Sequence, residues 1–422
     1  MRRNVVLIML LAGCRLHFDA VEGDAGGDGR TTGDSSDGGG PTVCNAVTRL
    51  SDDFEDGMYD EHRWDGTFSD PGTSYGEANG NLVLTLAANS ASTYVGYKSS
   101  VAMDLREQRI IAAVANPPAL SAQMSLRVES DLANDAIAMG MEGNMLHARK
   151  TVAGVFTMLD AIPFDPVMHR YFALSEHAGT MTWEWSQDGV TFTPLYSEPD
   201  PIDVSFLYVQ MFAGTPSAVG APGVARFASF NEGVTTLSGA CGPSGFTDTF
   251  DDGVTGREWR VFMDPCCGDA EMGGQLRLSS IGTVTGTRSR RSAWGLDMRG
   301  ASIGITVVEI PATANQTGIF SAYYDSQNQL QIRLMSSSLV VRTTVGGTPT
   351  NNTYALPAAP FHIRIREAGG MIFFETATTK PNWTAIQMTP APFPVDDMRI
   401  SVGYNAGAAA ADHITFDDLN VP

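Results

Sequence analysis

Positive charge is scarce in this chain of 422 residues: 27 Lys and Arg stand against 47 Asp and Glu, a formal net charge of −20. The only basic cluster in the folded region is Arg288, Arg290 and Arg291. A nucleic-acid partner is therefore not expected, because such proteins draw most of their affinity from Lys and Arg on phosphates. The seven histidines are scattered with no pair at ligand spacing, so no zinc motif is present. No G-x-S-x-G elbow and no phosphate-binding loop occurs either. No helical pattern persists beyond two turns. What remains is a chain with 43% hydrophobic and 18% charged residues, which fits a globular protein with room for two or three full-sized cores.

Met1 to Cys14 reads MRRNVVLIMLLAGC: two arginines, an apolar run from Val5, then Leu-Ala-Gly-Cys. The run is too short to span a bilayer as a retained helix. The segment resembles a bacterial lipoprotein signal. The resemblance makes residues 1–13 the signal peptide and Cys14 the lipidated first residue, and several acyl chains on one residue supply stable anchoring. The expected location is outside the cytoplasm, lipid-anchored to a bacterial membrane, with the outer membrane or cell surface favoured over the inner membrane. Residues 14–43 are rich in Gly, Asp and Ser without an apolar period. They are expected to form a flexible, disordered tether with a reach of about 30 Å. The run lacks the D-x-D-x-D-G spacing of a calcium loop.

From Cys44 onward the pattern is that of β-strands. Short runs such as Asn81 to Leu86, Gln123 to Val128 and Phe206 to Met211 alternate apolar with small or polar residues, and Gly, Pro, Asn or Asp separates them. Gln329 to Leu334, His362 to Ile365 and Arg399 to Val402 continue the pattern in the second half. Many short strands at this spacing predict sandwiches or jelly rolls.

One stretch occurs twice. Ser51 to Trp64 reads SDDFEDGMYDEHRW and Thr247 to Trp259 reads TDTFDDGVTGREW, so Phe54, Asp56, Gly57 and Trp64 recur as Phe250, Asp252, Gly253 and Trp259. Further on, Asp104-Leu-Arg106 matches Asp297-Met-Arg299, Glu184 falls on Glu375, and Phe192 falls on Trp383. This is a tandem duplication with its boundary near Gly233 to Gly245. The expected domains are residues 44–237 and 241–422.

Together the D-x-F-D-D-G strand with its following Trp, the central D-L-R, the IRIRE-GG turn followed by N-W-T, and the final T-F-D-D-L resemble the concanavalin A-like lectin/glucanase superfamily, and within it the laminin-G-like bacterial members. The resemblance implies an all-β protein of two tandem concanavalin A-like jelly-roll sandwiches after the tether, with carbohydrate on a concave face or at a loop edge. It does not by itself imply an activity, since this fold hosts lectins, glycosidases and adhesion modules.

Relatives that cleave glycans carry E-x-D-x-x-E on one strand. The nearest approach here, Glu198-Pro-Asp200-Pro-Ile-Asp203, lacks the closing Glu, and its prolines forbid a central strand. Glu184 and Glu375 stand on strands without a second acid at i+2 and are read as structural. No catalytic residue is expected. The expected function is non-catalytic binding of a glycan or polysaccharide by a membrane-anchored surface protein; the alternatives are a glycan-cleaving enzyme with an unrecognised site and a structural or adhesion protein with a protein partner. Because a pyranose stacks on aromatic rings, Tyr208, Gln210, Trp294 and Tyr323 are the candidate ligand contacts. No cofactor is expected beyond a structural Ca2+, for which Asp252, Asp417 and Asp418 are the candidate ligands; the competing and favoured reading is that Asp-Gly makes the turn after the first strand.

Apart from Cys14 there are four cysteines, Cys44, Cys241, Cys266 and Cys267, and an exported chain should have them oxidised. Three pairings are open. The favoured one joins Cys44 to Cys241 as a clasp at the base of the first domain and leaves Cys266–Cys267 as a vicinal bridge. The rival ties Cys44 and Cys241 to that adjacent pair.

Overall fold

A computed structural model describes residues 44–130, 134–234, 239–264, 266–282, 284–407 and 409–421. The expected signal peptide, Cys14 and the expected tether lie outside them.

The described chain is built from four seven-stranded sheets, all of whose ladders are antiparallel. In the first half one sheet runs, edge to edge, Phe68–Ser69, Thr93–Lys98, Tyr208–Thr215, Gln123–Glu129, Ala136–Glu142, Met145–Val152 and Val155–Pro163. We call this the groove sheet. The other, the outer sheet, runs Thr193–Pro199, Thr180–Ser186, Tyr171–His177, Arg109–Asn116, Val224–Phe230, Leu82–Thr85 and Ser74–Glu77. The second half repeats both sheets strand for strand in the same order, from Trp259–Met263 to Ala411–Asp417. The protein is two tandem jelly-roll sandwiches of concanavalin A-like architecture.

Period-2 alternation fills each core. Val209 and Met211 are fully buried, as are Met124, Leu126 and Val128 on the neighbouring strand, while Gln210 and Phe212 project from the opposite face of the sheet. The second core repeats this with Leu330, Ile332 and Leu334 beside Phe320 and Val402.

The duplicated motif is a lock on each core. Phe54 and Phe250 are buried with φ of 55° and 52°, a left-handed backbone that a bulky residue rarely adopts. Asp52 holds the first: its Oδ1 accepts from Phe54 N at 3.0 Å and its Oδ2 accepts from the Trp64 indole at 2.7 Å. Asp248 does the same for Phe250 N at 2.8 Å and the Trp259 indole at 2.6 Å. Burying each Phe contributes about 2–3 kcal/mol, enough to offset a strained backbone that costs about 1–3 kcal/mol.

Cys44 is joined to Cys241, closing a sequence separation of 197, and Cys266 is joined to Cys267. The backbone of Cys241 already belongs to the second sandwich, since its carbonyl accepts from Asp297 N at 2.8 Å. The first bridge therefore closes one sandwich and ties its entry to the start of the next.

The only α-helix among the described residues is Glu61–Trp64, which Asp60 caps through His62 N at 2.8 Å. Among the described residues no helix is long and apolar enough to cross a membrane. This single turn delivers two side chains to the second sandwich. Glu61 accepts from Tyr323 Oη at 3.1 Å, and His62 stacks on Tyr324 with ring centroids 3.9 Å apart and faces Asp397. Asp65, one residue beyond, meets Arg260, Arg291 and Arg399. Beside this polar seam an apolar plug of Ala102, Phe206, Tyr208 and Ala293 packs against Trp294.

Candidate functional site

The seam corrects three of the candidate ligand contacts. Tyr208 is 1% exposed, with Lys98 and Arg260 over its ring, and Tyr323 is 8% exposed, with Arg291 and Arg399 over its ring. Trp294 meets Phe206 and Phe246 edge to face at 5.7 and 5.8 Å. Tyr208 and Tyr323 point outward from their own sheets, where the neighbouring sandwich covers them, and Trp294, in the bend after Gly286–Ser292, is held between Phe206 of the first sandwich and Phe246 of its own. Alternation fixes which side a residue takes and says nothing of what lies there.

Gln210, the fourth candidate, is placed differently. It lines a cavity of about 650 Å³ over the groove sheet of the first sandwich, together with Phe68, Asp70, Tyr94, Arg127, Glu142 and Phe212. Arg149, Phe156 and Gln123 also line it. The aromatic wall is a chain of ring contacts: Phe212 lies 6.5 Å from Phe68 and 6.3 Å from Tyr94, centroid to centroid. Gly214 makes this possible, because a Cβ there would stand 2.2 Å from the Tyr94 ring. Phe156, on the edge strand, remains 60% exposed at the rim.

The polar floor is cross-linked. Arg149 donates to Glu142 at 2.8 Å and to Ser125 Oγ at 2.6 Å. Burial pulls its guanidinium below the ordinary arginine range, and Glu142 opposes that shift. Gln210 Nε2 donates to Glu129, which also accepts from Lys98 at 2.9 Å and meets Arg127 at 2.8 Å. Asp70 accepts from Tyr94 N at 2.7 Å. Burial, with the Glu142 charge second, raises the Tyr94 hydroxyl above its usual range. The arrangement offers flat apolar rings on one side and fixed donors and acceptors on the other, in a cleft of ligand size.

Glu184 and Glu375 stand on the outer sheets, away from this groove. Arg109 donates to Glu184 at 2.9 Å, and Arg364 and Arg366 both donate to Glu375, the latter at 2.9 Å. The Ca2+ candidates do not converge. Asp252 is exposed and accepts from Val254 N at 3.0 Å within its Asp-Gly turn, and Asp417 accepts from Asp418 N at 2.8 Å. Among the described residues no group of three His, Cys, Asp or Glu is able to hold a metal ion. The metal assignment of Asp252, Asp417 and Asp418 is corrected accordingly, because the turn already uses the first.

Of the groove residues, sequence reasoning named only Gln210 as a ligand contact. Tyr94, Arg127, Glu142 and Arg149 occupy the same face by alternation, but each is brought there by register across four ladders. The signal that could have found them is the glycine at 214, a small residue on the outward side of a strand opposite an aromatic one.

No family model matches the sequence, and no curated protein matches it. Solved structures do. The catalytic domain of an endo-1,3-beta-glucanase (laminarinase) from Thermotoga petrophila is 9% identical, with a TM-score of 0.34, and the match covers 41% of this chain and 94% of that one. A glycosyl hydrolase family protein from Mycobacterium fortuitum is 14% identical, with a TM-score of 0.34 and coverage of 41% and 97%. The beta-glucanase of Bacillus licheniformis is 11% identical, with a TM-score of 0.33 and coverage of 41% and 95%. The expectation of a protein without catalytic activity is corrected. The structures this chain resembles are named as glucanases and a glycosyl hydrolase, so that expectation is not carried forward.

Proposed function

We propose that this is a glycan-engaging protein, exported and lipid-anchored through Cys14, whose first sandwich holds a polysaccharide chain in the groove between Phe68, Tyr94, Phe156 and Phe212. The observation that carries the reading is the joining of that ring wall to the floor of Gln123, Arg127, Gln210 and Glu142 in one cleft. The C–H face of a sugar stacks on the rings, and its hydroxyls pair with the amides and charges. The anchor rests on the Leu11-Ala12-Gly13-Cys14 sequence. The test is a glycan array probed with the full chain. Phe212→Ala and Tyr94→Ala should each weaken binding by about tenfold, as expected for a central aromatic contact. Binding unchanged by both overturns the groove assignment. Cys14→Ser should abolish incorporation of labelled fatty acid.

A second reading is cleavage of the bound glycan. Its supporting observation is that two carboxylates, Asp70 and Glu142, border the same aromatic groove, and paired carboxylates are what glycoside hydrolysis uses. Release of reducing ends from β-glucans, lost in Asp70→Asn or Glu142→Gln while binding persists, supports it. Release that survives both substitutions removes these residues from the chemistry.

A further inference from the structure

We propose that a second cavity, on the outer sheet of the second sandwich, binds an acidic polysaccharide through its carboxylates. The site is independent of the first-sandwich groove. It has a volume of about 770 Å³, and its surface includes Arg299, Arg364, Arg366, Lys380 and Trp383. Four cations around one cleft stand out in a chain of net charge −20. Against them are Asp297 on the rim, which pairs with Arg299 at 2.7 Å, and Glu375.

The residues are arranged as a receptor for planar anions. Glu375 is 4% exposed and accepts from Nε of Arg364 and from Nε and Nη2 of Arg366, which fixes both guanidinium planes. The Nη donors of Arg364 carry no hydrogen bond among the described residues. Two parallel N–H groups of a guanidinium match a carboxylate in bidentate fashion. Arg364 lies over the Trp383 ring at 4.2 Å, so an aromatic face for a sugar ring sits directly beside a fork for its acid group. Gly304 provides the space: a Cβ there would stand 2.9 Å from the Arg364 Cβ.

The first sandwich lacks this arrangement. The pair Gly304 and Arg364 corresponds to Ile111 and Ala173, joined in the same ladder position, so bulk and charge have exchanged strands. Arg366 corresponds to Ser175 and Trp383 to Phe192. In the first sandwich Glu184 is met by Arg109, whose guanidinium lies over Phe192 at 4.6 Å. The ion pair that secures the outer sheet is common to both halves; the additional arginine, Lys380 and the indole are found only in the second.

The experiment is calorimetric titration of the full chain with oligoguluronate as the uronate probe, dextran sulfate as the sulfate probe and laminarin as the neutral control. Oligoguluronate should bind, and the affinity should fall between 50 and 500 mM salt because exposed charges are screened over about 10 Å at 0.1 M and over less at higher salt. The double variant Arg299→Gln with Lys380→Gln, which leaves the buried Glu375 pairing intact, should reduce that affinity by about tenfold, the loss of roughly one charge-assisted contact. Trp383→Ala should reduce it further without altering laminarin binding. Absence of oligoguluronate binding overturns the proposal, as does binding that all three substitutions leave unchanged. Tighter binding of dextran sulfate than of oligoguluronate overturns the carboxylate assignment. Arg364→Ala leaves Glu375 short of a partner, so its effect is read only after thermal unfolding shows the chain still folded.

Discussion

Asp65 of the first sandwich accepts from Nη1 of Arg399 in the second at 2.6 Å, with both side chains almost wholly buried. The same carboxylate meets Arg291 at 2.9 Å and Arg260 at 3.3 Å. Removing it leaves three guanidinium groups crowded in the seam without their shared anion. Asp65→Ala should therefore cost about 3 kcal/mol, the usual loss when one partner of a buried pair is removed. Calorimetry should show the two sandwiches melting in separate transitions in place of one. A single transition at the original temperature excludes Asp65 as the link.

Glu77 and Glu271 occupy equivalent places in the two halves and should give the protein an acid-side optimum. Burial first, then Asp52, pushes Glu77 from its ordinary 4.5 up to about 7; Asp56 also raises it, and Tyr97 opposes. Burial likewise pushes Glu271 up to about 7; Arg290 opposes this, and Asp252 and Asp248 reinforce it. Both carboxyls hold a proton more tightly folded than unfolded, so between pH 4.5 and 7 the native chain binds more protons and stability falls as pH rises. Unfolding temperature should be higher at pH 5 than at pH 7.5. The double substitution Glu77→Gln with Glu271→Gln should flatten the difference; a steeper profile in the variant contradicts the assignment.

The bridge from Cys44 to Cys241 closes a loop of nearly the whole first sandwich. The chain-entropy argument gives up to about 5 kcal/mol for a closure of this length. Cys44→Ser with Cys241→Ser should lower the denaturant midpoint and steepen the transition, because the unfolded chain freed of the cross-link exposes more surface. An unchanged midpoint shows that the entry and exit strands hold each other without the bond.

Asp52 carries both the Trp64 indole and the Phe54 amide in its two oxygens. Asp52→Ala leaves a buried N–H unsatisfied on each, at about 1–3 kcal/mol for each group. A loss of about 3 kcal/mol in denaturant unfolding is expected, with the equivalent Asp248→Ala giving a similar loss in the second half. A value below 1 kcal/mol for either shows that the left-handed Phe is held by packing alone.

Much of the architecture is written in local chemistry. Alternation in runs such as Gln123 to Val128 sets both the strand and its buried side, because a residue two positions along a strand returns to the same face. The recurrence of Phe54, Asp56, Gly57 and Trp64 as Phe250, Asp252, Gly253 and Trp259 marks two copies of one unit. The functional surfaces are a different matter, since an outward side chain carries no record of what will be set against it. Tyr208, Gln210 and Phe212 share one face of one strand, yet Tyr208 is sealed by the second sandwich while Gln210 and Phe212 line a groove. The outer cavity depends likewise on partners from distant strands, where Gly304 yields its volume to Arg364 and Glu375 sets both arginines. Sequence determined the elements and their inward faces through short-range periodicity; the docking of the two sandwiches and the register of non-neighbouring strands, which depend on long-range packing and charge, decided which outward faces remained open.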